Sequence, residues 1–248
     1  MRAMPCRWMG AKRGKGVRRR KGKTADEEGE TREGQGEAQA EEDWLMLCHF
    51  NARGVTTKEE VLKEWMVKKG VACAGIAECH TYRDHGLSDK EWQWEPGREV
   101  RPGPQQHHPP GGTGFFTRTN LRASIVESGE FAVWCRIEMK TGPPGFVGEC
   151  YFPADSDVSK HKQAWDEVEG TVEKIRKLGH IVLMGDFNAK MGMNGDHRVD
   201  TVGRLMRKRL NAMRLHVVNG FRQCRGQFTR EQVVEGKPIK PTIDYVRF

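Results

Sequence analysis

His180-Ile181-Val182-Leu183-Met184-Gly185-Asp186-Phe187-Asn188-Ala189-Lys190 is the stretch that decides how the rest of the chain is read. Ile181 to Met184 form a short continuous apolar run bounded by Gly185, the pattern of a buried strand and not of an amphipathic helix. Asp186 and Asn188 follow at once. In α/β sheets, reactive groups collect just outside the carboxyl ends of strands. A spacing of two puts both side chains on one side of an extended segment. A carboxylate and a carboxamide so placed can hold a water, one accepting and the other donating. The same residues also fit an Asx turn, in which Asp186 only caps a chain reversal. On this stretch alone both readings stand.

Working outward, an amphipathic helix at about 158–178 feeds the strand. Trp165, Val168, Val172 and Ile175 share one face, and Gly179 stops it. Before it lie four strand-like runs at 113–119, 122–127, 131–139 and 146–152, separated by Gly or Asn as in antiparallel hairpins. The last delivers Tyr151. Further back, residues 44–50 read as a strand delivering Asn51. Thr57 and Glu60 have capping-box spacing, and Val61, Leu62, Trp65 and Met66 fall at helical intervals before Gly70. Residues 71–77 read as a second buried strand, delivering Glu78. Residues 80–112 read as a long loop with Trp92 and Trp94 anchored in the core, base stacking being the alternative, and with His107-His108 solvated. Downstream, a polar loop at 190–201 precedes a helix at 203–213 with Val202, Leu205, Met206 and Met213 inward. Strands at 215–219, 226–229 and 242–248 follow, the last carrying Asp244.

The chain has 248 residues, room for one large domain or two small ones. Residues 1–23 are basic and 24–43 acidic and Gly-rich, and neither block has the apolar periodicity to offset the entropy of ordering. Residues 1–43 are therefore expected to be a disordered tail, and 44–248 one domain. The net charge of +8 and a pI of about 9.2 favour a polyanionic partner, most simply nucleic acid. Seven cysteines without a CxxC pair read as reduced, buried thiols of an intracellular protein, and Cys73, Cys79 and His80 match no zinc spacing. The basic block at 1–23 is a candidate nuclear import signal or a solvated tail. No apolar run approaches the roughly eighteen residues needed to span a bilayer, so no membrane partner is expected. No protein partner can be inferred.

Five stretches in order now carry a resemblance: Phe50-Asn51-Ala52-Arg53-Gly54, Ile76-Ala77-Glu78, Gly112-Thr113-Gly114-Phe115, Gly185-Asp186-Phe187-Asn188-Ala189 and Thr242-Ile243-Asp244-Tyr245-Val246. From Trp44 onward the chain resembles the endonuclease/exonuclease/phosphatase domain, in its retrotransposon (LINE-type) branch related to apurinic endonucleases. The resemblance implies an α/β fold, a four-layer sandwich of two packed mixed β-sheets flanked by helices, with the site where strand ends of both sheets meet. It implies Glu78 as a ligand of Mg²⁺, with Mn²⁺ as the alternative, and Asn51 as positioning the metal or its waters. Asp186 would orient or deprotonate the attacking water, Asn188 would hold it or the scissile phosphate, and Tyr151 would donate to a phosphate oxygen. Asp244 would orient a histidine. DNA is the implied partner and phosphodiester hydrolysis the implied reaction. The family pattern closes with a Ser-Asp-His-type segment beyond Asp244, whereas this sequence stops at Phe248 and has Pro241 where Ser is usual. A C-terminally incomplete member is expected, lacking its last strand and slow in turnover. The alternatives are a non-catalytic remnant that at most binds nucleic acid, and a phosphatase or phosphodiesterase acting on small phosphate esters.

Overall fold

Two of the crossovers are strand–helix–strand units, and each builds one sheet. β2 (Trp44–Asn51) leads through α1 (Glu59–Lys69) into β3 (Cys73–Ala77), and β2 pairs with β3 in parallel. β8 (Gly145–Tyr151) leads through α2 (Val158–Ile175) into β9 (His180–Asp186), again a parallel pair. The computed structural model describes residues 4–9, 44–81, 86–98, 111–154, 157–192, 198–217, 232–234, 237–239 and 244–247. The other strands are β1 (Met4–Met9), β4 (Trp92–Pro96), β5 (Thr113–Arg118), β6 (Ala123–Ser128), β7 (Ala132–Ile137), β10 (Gln232–Val234), β11 (Lys237–Ile239) and β12 (Asp244–Arg247), with α3 at Thr201–Met213. Sheet one runs β1-β2-β3-β5-β4 and sheet two β12-β9-β8-β7-β6, while β10 and β11 form a separate pair. Antiparallel neighbours complete both sheets, so both are mixed.

Strands such as β3 and β8 are buried along both faces because each sheet is covered twice. Leu47, Cys73 and Phe115 of sheet one meet Val133, Val147, Val182 and Met184 of sheet two. Leu62 and Met66 of α1 cover Phe50, Ile76, Trp94 and Phe116 on the far face of sheet one. Trp165 and Val168 of α2, with Met206 and Leu210 of α3, cover Trp134, Cys150 and Leu183 on the far face of sheet two. The expected helix–sheet–sheet–helix sandwich is therefore the observed one. Among the described residues no helix is long and apolar enough to cross a membrane.

Several local readings are corrected. The disordered-tail reading of 1–43 fails at Met4–Met9, whose backbone pairs antiparallel with β2, Met4 opposite His49 and Met9 opposite Trp44. The outer edge of β2 has a row of hydrogen-bonding groups to satisfy, and this short, partly apolar segment supplies the partner. The remainder of that tail lies outside the described residues. The loop reading of 80–112 fails at β4, which pairs with β5 and buries Trp92 and Trp94 as core anchors. His107 and His108 lie outside the described residues. The capping box does not form. α1 starts at Glu59 with Lys58 as N-cap and no side-chain cap bond, since an ammonium has no acceptor to offer the first N–H groups; Lys58 Nζ donates instead to the carbonyls of Ala52 and Arg53. Gly70 does close the helix in the left-handed conformation, φ +65°. α2 ends at Ile175, three residues short of the expected boundary, and Asp157 caps its start by accepting from Ser159 N. Asp200 does the same for α3 through Gly203 N.

Candidate active site

Strand periodicity and register stack the inner faces of the two sheets into layers. In the innermost, Leu47 and Cys73 of sheet one face Val147 and Val182 of sheet two. One step on are His49 and Gly75, opposite Glu149 and Met184. One step further, where the strands end, are Asn51 and Ala77, with Tyr151 and Asp186 side by side across the interface. Glu78 is the next residue after Ala77. The site residues thus converge because the registers bring the carboxyl ends of β2, β3, β8 and β9 level.

Asn51 is the hub. Its Nδ2 donates to Glu78 Oε1 at 2.7 Å and to Asp186 Oδ2 at 3.0 Å, linking the two sheets. Its Oδ1 is buried and has no hydrogen-bond partner among the described residues. Glu78 sits at φ +48°, a conformation rarely adopted by a residue with a long side chain. The turn is held on both sides: Gly54 N donates to Glu78 O at 2.8 Å, and Cys79 N donates to Gly112 O at 3.2 Å. Arg53, Glu78, His80 and Asn188 all have positive φ near this mouth, the concentration of backbone strain that marks functional sites. Arg53 is exposed, its Nε 4.0 Å from Glu78 Oε2.

Of the two readings left open by its sequence, Asp186 shows the Asx turn. It is buried, Oδ2 faces Asn51, and Oδ1 accepts from Asn188 N at 3.0 Å, which is an Asx turn. The extended-segment argument for Asn188 is corrected. The chain reverses at φ +45° on Asn188, whose Nδ2 donates to Phe152 O at 3.0 Å. The amide therefore ties the turn to the end of β8 instead of standing beside the Asp186 carboxylate. Phe187 between them is buried, stacked on Trp165 at 5.7 Å and 10°. Tyr151 donates to Glu78, and Gly111 lies against its ring, where an added Cβ would come within 3.0 Å of Cε1. Burial, and then the charges of Glu78 and Asp186, push the Tyr151 hydroxyl well above its ordinary range, so it stays a neutral donor. Asp244 pairs directly opposite Asp186 in the β12–β9 ladder. Of the histidines, His197 lies outside the described residues and His216 follows the C-terminal cap of α3.

The donor set fits a hard divalent cation. A carboxylate at the mouth and a buried carboxamide oxygen without a partner are oxygen ligands of the kind Mg²⁺ takes while keeping most of its waters. Among the described residues no three His, Cys, Asp or Glu side chains converge on a metal position, and Cys73 and Cys79 are buried free thiols, as expected. The sequence reading passed over His49 and Glu149. The signal was there: an ionisable residue inside an apolar strand, two before Asn51 in one case and two before Tyr151 in the other.

Known structures share this architecture. The endonuclease domain of TRAS1, a telomere-specific non-LTR retrotransposon, superposes with a TM-score of 0.60 at 17% identity, covering 81% of this chain and 83% of that one. A 3'-5' exonuclease from Neisseria meningitidis gives 0.59 at 14% identity, covering 81% and 85%. A mannosyl-6-phosphatase from Bacteroides thetaiotaomicron gives 0.55 at 14% identity, covering 82% and 84%. At such identities the likeness is one of fold. No curated protein matches the sequence. The sequence pattern of the Endonuclease/Exonuclease/phosphatase family matches residues 48–246, and the chain belongs to that family.

Proposed function

We propose that the chain is a Mg²⁺-dependent nuclease that hydrolyses DNA phosphodiester bonds, of the retrotransposon endonuclease type. The observation that carries this reading is the Asn51 carboxamide bridging Glu78 and Asp186 where both sheets end. Glu78 and Asn51 are the residues that would hold the ion. The chemistry supplied by bound Mg²⁺, or by Mn²⁺ in its place, is neutralisation of charge on the phosphate oxygens. Asp186 accepts the proton of the attacking water; its second oxygen is already fixed by the Asn188 backbone, so the carboxylate is pre-oriented. Tyr151 donates its O–H to a non-bridging oxygen, where charge builds up in the transition state. Asn188 holds the turn and the water or phosphate beside it. Asp244, opposite Asp186 in the β12–β9 ladder, would orient a histidine. The net charge of +8 supports a polyanionic substrate, and the retrotransposon endonuclease domain among the structural neighbours supports DNA.

Nicking of supercoiled plasmid tests this. The chain is expected to nick with Mg²⁺, to stop when the metal is chelated, and to lose at least about 100-fold of its rate in Asp186→Ala. Equal nicking by wild type and Asp186→Ala would overturn the proposal. The mannosyl-6-phosphatase among the neighbours supports a second reading, hydrolysis of a small phosphate ester. Release of phosphate from sugar phosphates with no attack on plasmid would favour it.

A further inference from the structure

We propose that the buried His49–Glu149 pair is a positioning device, setting the offset of the two sheets one layer beneath the site and so the placement of Asn51 against Tyr151 and Asp186. This rests on the nuclease reading above. His49 Nδ1 and Glu149 Oε1 are hydrogen-bonded at 2.7 Å across the sheet interface, both side chains almost completely buried. His49 is two residues before Asn51 on β2, and Glu149 two before Tyr151 on β8, so each shares a face with the site residue it precedes. Gly75, the register neighbour of His49, leaves the room: a Cβ there would lie 2.0 Å from Glu149 Oε2. Three strands are thus cut to fit this polar contact, beside apolar packing by Leu47, Phe115, Val147, Val182 and Met184.

Folding alone does not call for such a pair. Burying two ionisable groups costs desolvation, and well-packed apolar replacements are often neutral or stabilising. A short hydrogen bond adds a directional constraint on distance and angle that apolar contacts lack. The bond that matters at the site, Asn51 Nδ2 to Asp186 Oδ2, crosses the same interface. A misplacement of about 1 Å there is enough to cost on the order of 100-fold in rate.

Two substitutions at one position separate positioning from packing. In His49→Asn the amide nitrogen occupies the place of Nδ1 and keeps the bond to Glu149. In His49→Gln it occupies the place of Nε2 and loses it. Plasmid nicking by His49→Asn is expected to stay within about threefold of wild type in kcat, and His49→Gln to lose roughly 30-fold in kcat with little change in KM. His49→Leu with Glu149→Leu is expected to unfold at or above the wild-type temperature yet lose as much rate as His49→Gln. Equal kcat in the Asn and Gln variants, or a Leu–Leu variant that keeps wild-type kcat, would overturn the proposal. If wild type cuts no DNA, the nuclease reading fails separately, and the same comparison is made on Mn²⁺ affinity by titration calorimetry, expected weaker in Gln than in Asn. Equal affinity in the two, or no binding by wild type, overturns the positioning role on that readout.

Discussion

Tyr151 carries its proton into a site where two carboxylates surround it, and this has a consequence for pH. Burial and the charges of Glu78 and Asp186 hold its hydroxyl above the ordinary phenol value. The folded chain therefore keeps the proton at a pH where the unfolded chain releases it. Stability contributed by the neutral hydroxyl is complete below the unfolded pKa of about 10 and declines as pH rises from there toward the folded value. Tyr151→Phe is expected to flatten the fall in melting temperature above about pH 10, and to lower nicking by roughly 10- to 100-fold at neutral pH. Thermal melts across that range and a plasmid assay check the two halves. At this scale the sequence was legible in kind but not in orientation. Asp186, Asn51, Glu78 and Tyr151 come together as their motifs implied. The bend at Asn188 was legible only as one of two open readings: the Asx turn and asparagine's tolerance of the left-handed region allow its φ of +45°, while the stacking of Phe187 on Trp165 that accompanies it is a tertiary contact that no local pattern shows.

An element shows how little tolerance the central turn has. Gly185 lies at φ +143°, and a Cβ added there would fall 2.1 Å from the carbonyl oxygen of Cys150, its neighbour across the β8–β9 ladder. Both the backbone conformation and the close approach require glycine. Gly185→Ala is expected to destabilise the fold by about 3 kcal/mol or more, read from the midpoint of denaturant unfolding. Apolar periodicity located α1, α2, α3 and most strands to within a few residues. It missed β4 because the alternation, Trp92 and Trp94 buried with Gln93 exposed between them, spans only three residues. It missed β1 because six residues beside a basic run offer no periodic signal of their own. That strand exists only in partnership with β2.

For the whole molecule, the charge balance becomes a matter of salt. α3 carries Arg204, Arg207, Lys208 and Arg209 and no acid. Arg209 is neutralised by Asp166 and Glu169 of α2, while Arg204, Arg207 and Lys208 are exposed on a helix whose start packs against Lys190, just past Asn188. DNA affinity is expected to fall with salt, with a slope of about −0.9 per phosphate contacted, and Lys208→Glu to reduce that slope by about one. Fluorescence anisotropy over a salt series measures both. An affinity indifferent to salt would remove the basic surface from the DNA reading. The sandwich itself was legible only through the ordered motifs. Periodicity finds strands but not their neighbours, and nothing local says that β5 inserts between β3 and β4 or that β12 lies beside β9.

The pairing of Met4–Met9 with β2 bears on how the protein is prepared. An expression boundary drawn at Trp44, which the basic and acidic blocks invite, would strip the flank of the strand that ends in Asn51. The shortened protein is expected to self-associate through that bared edge, visible as early elution in size-exclusion chromatography, and a vector starting at Met1 is the safer choice for crystallisation.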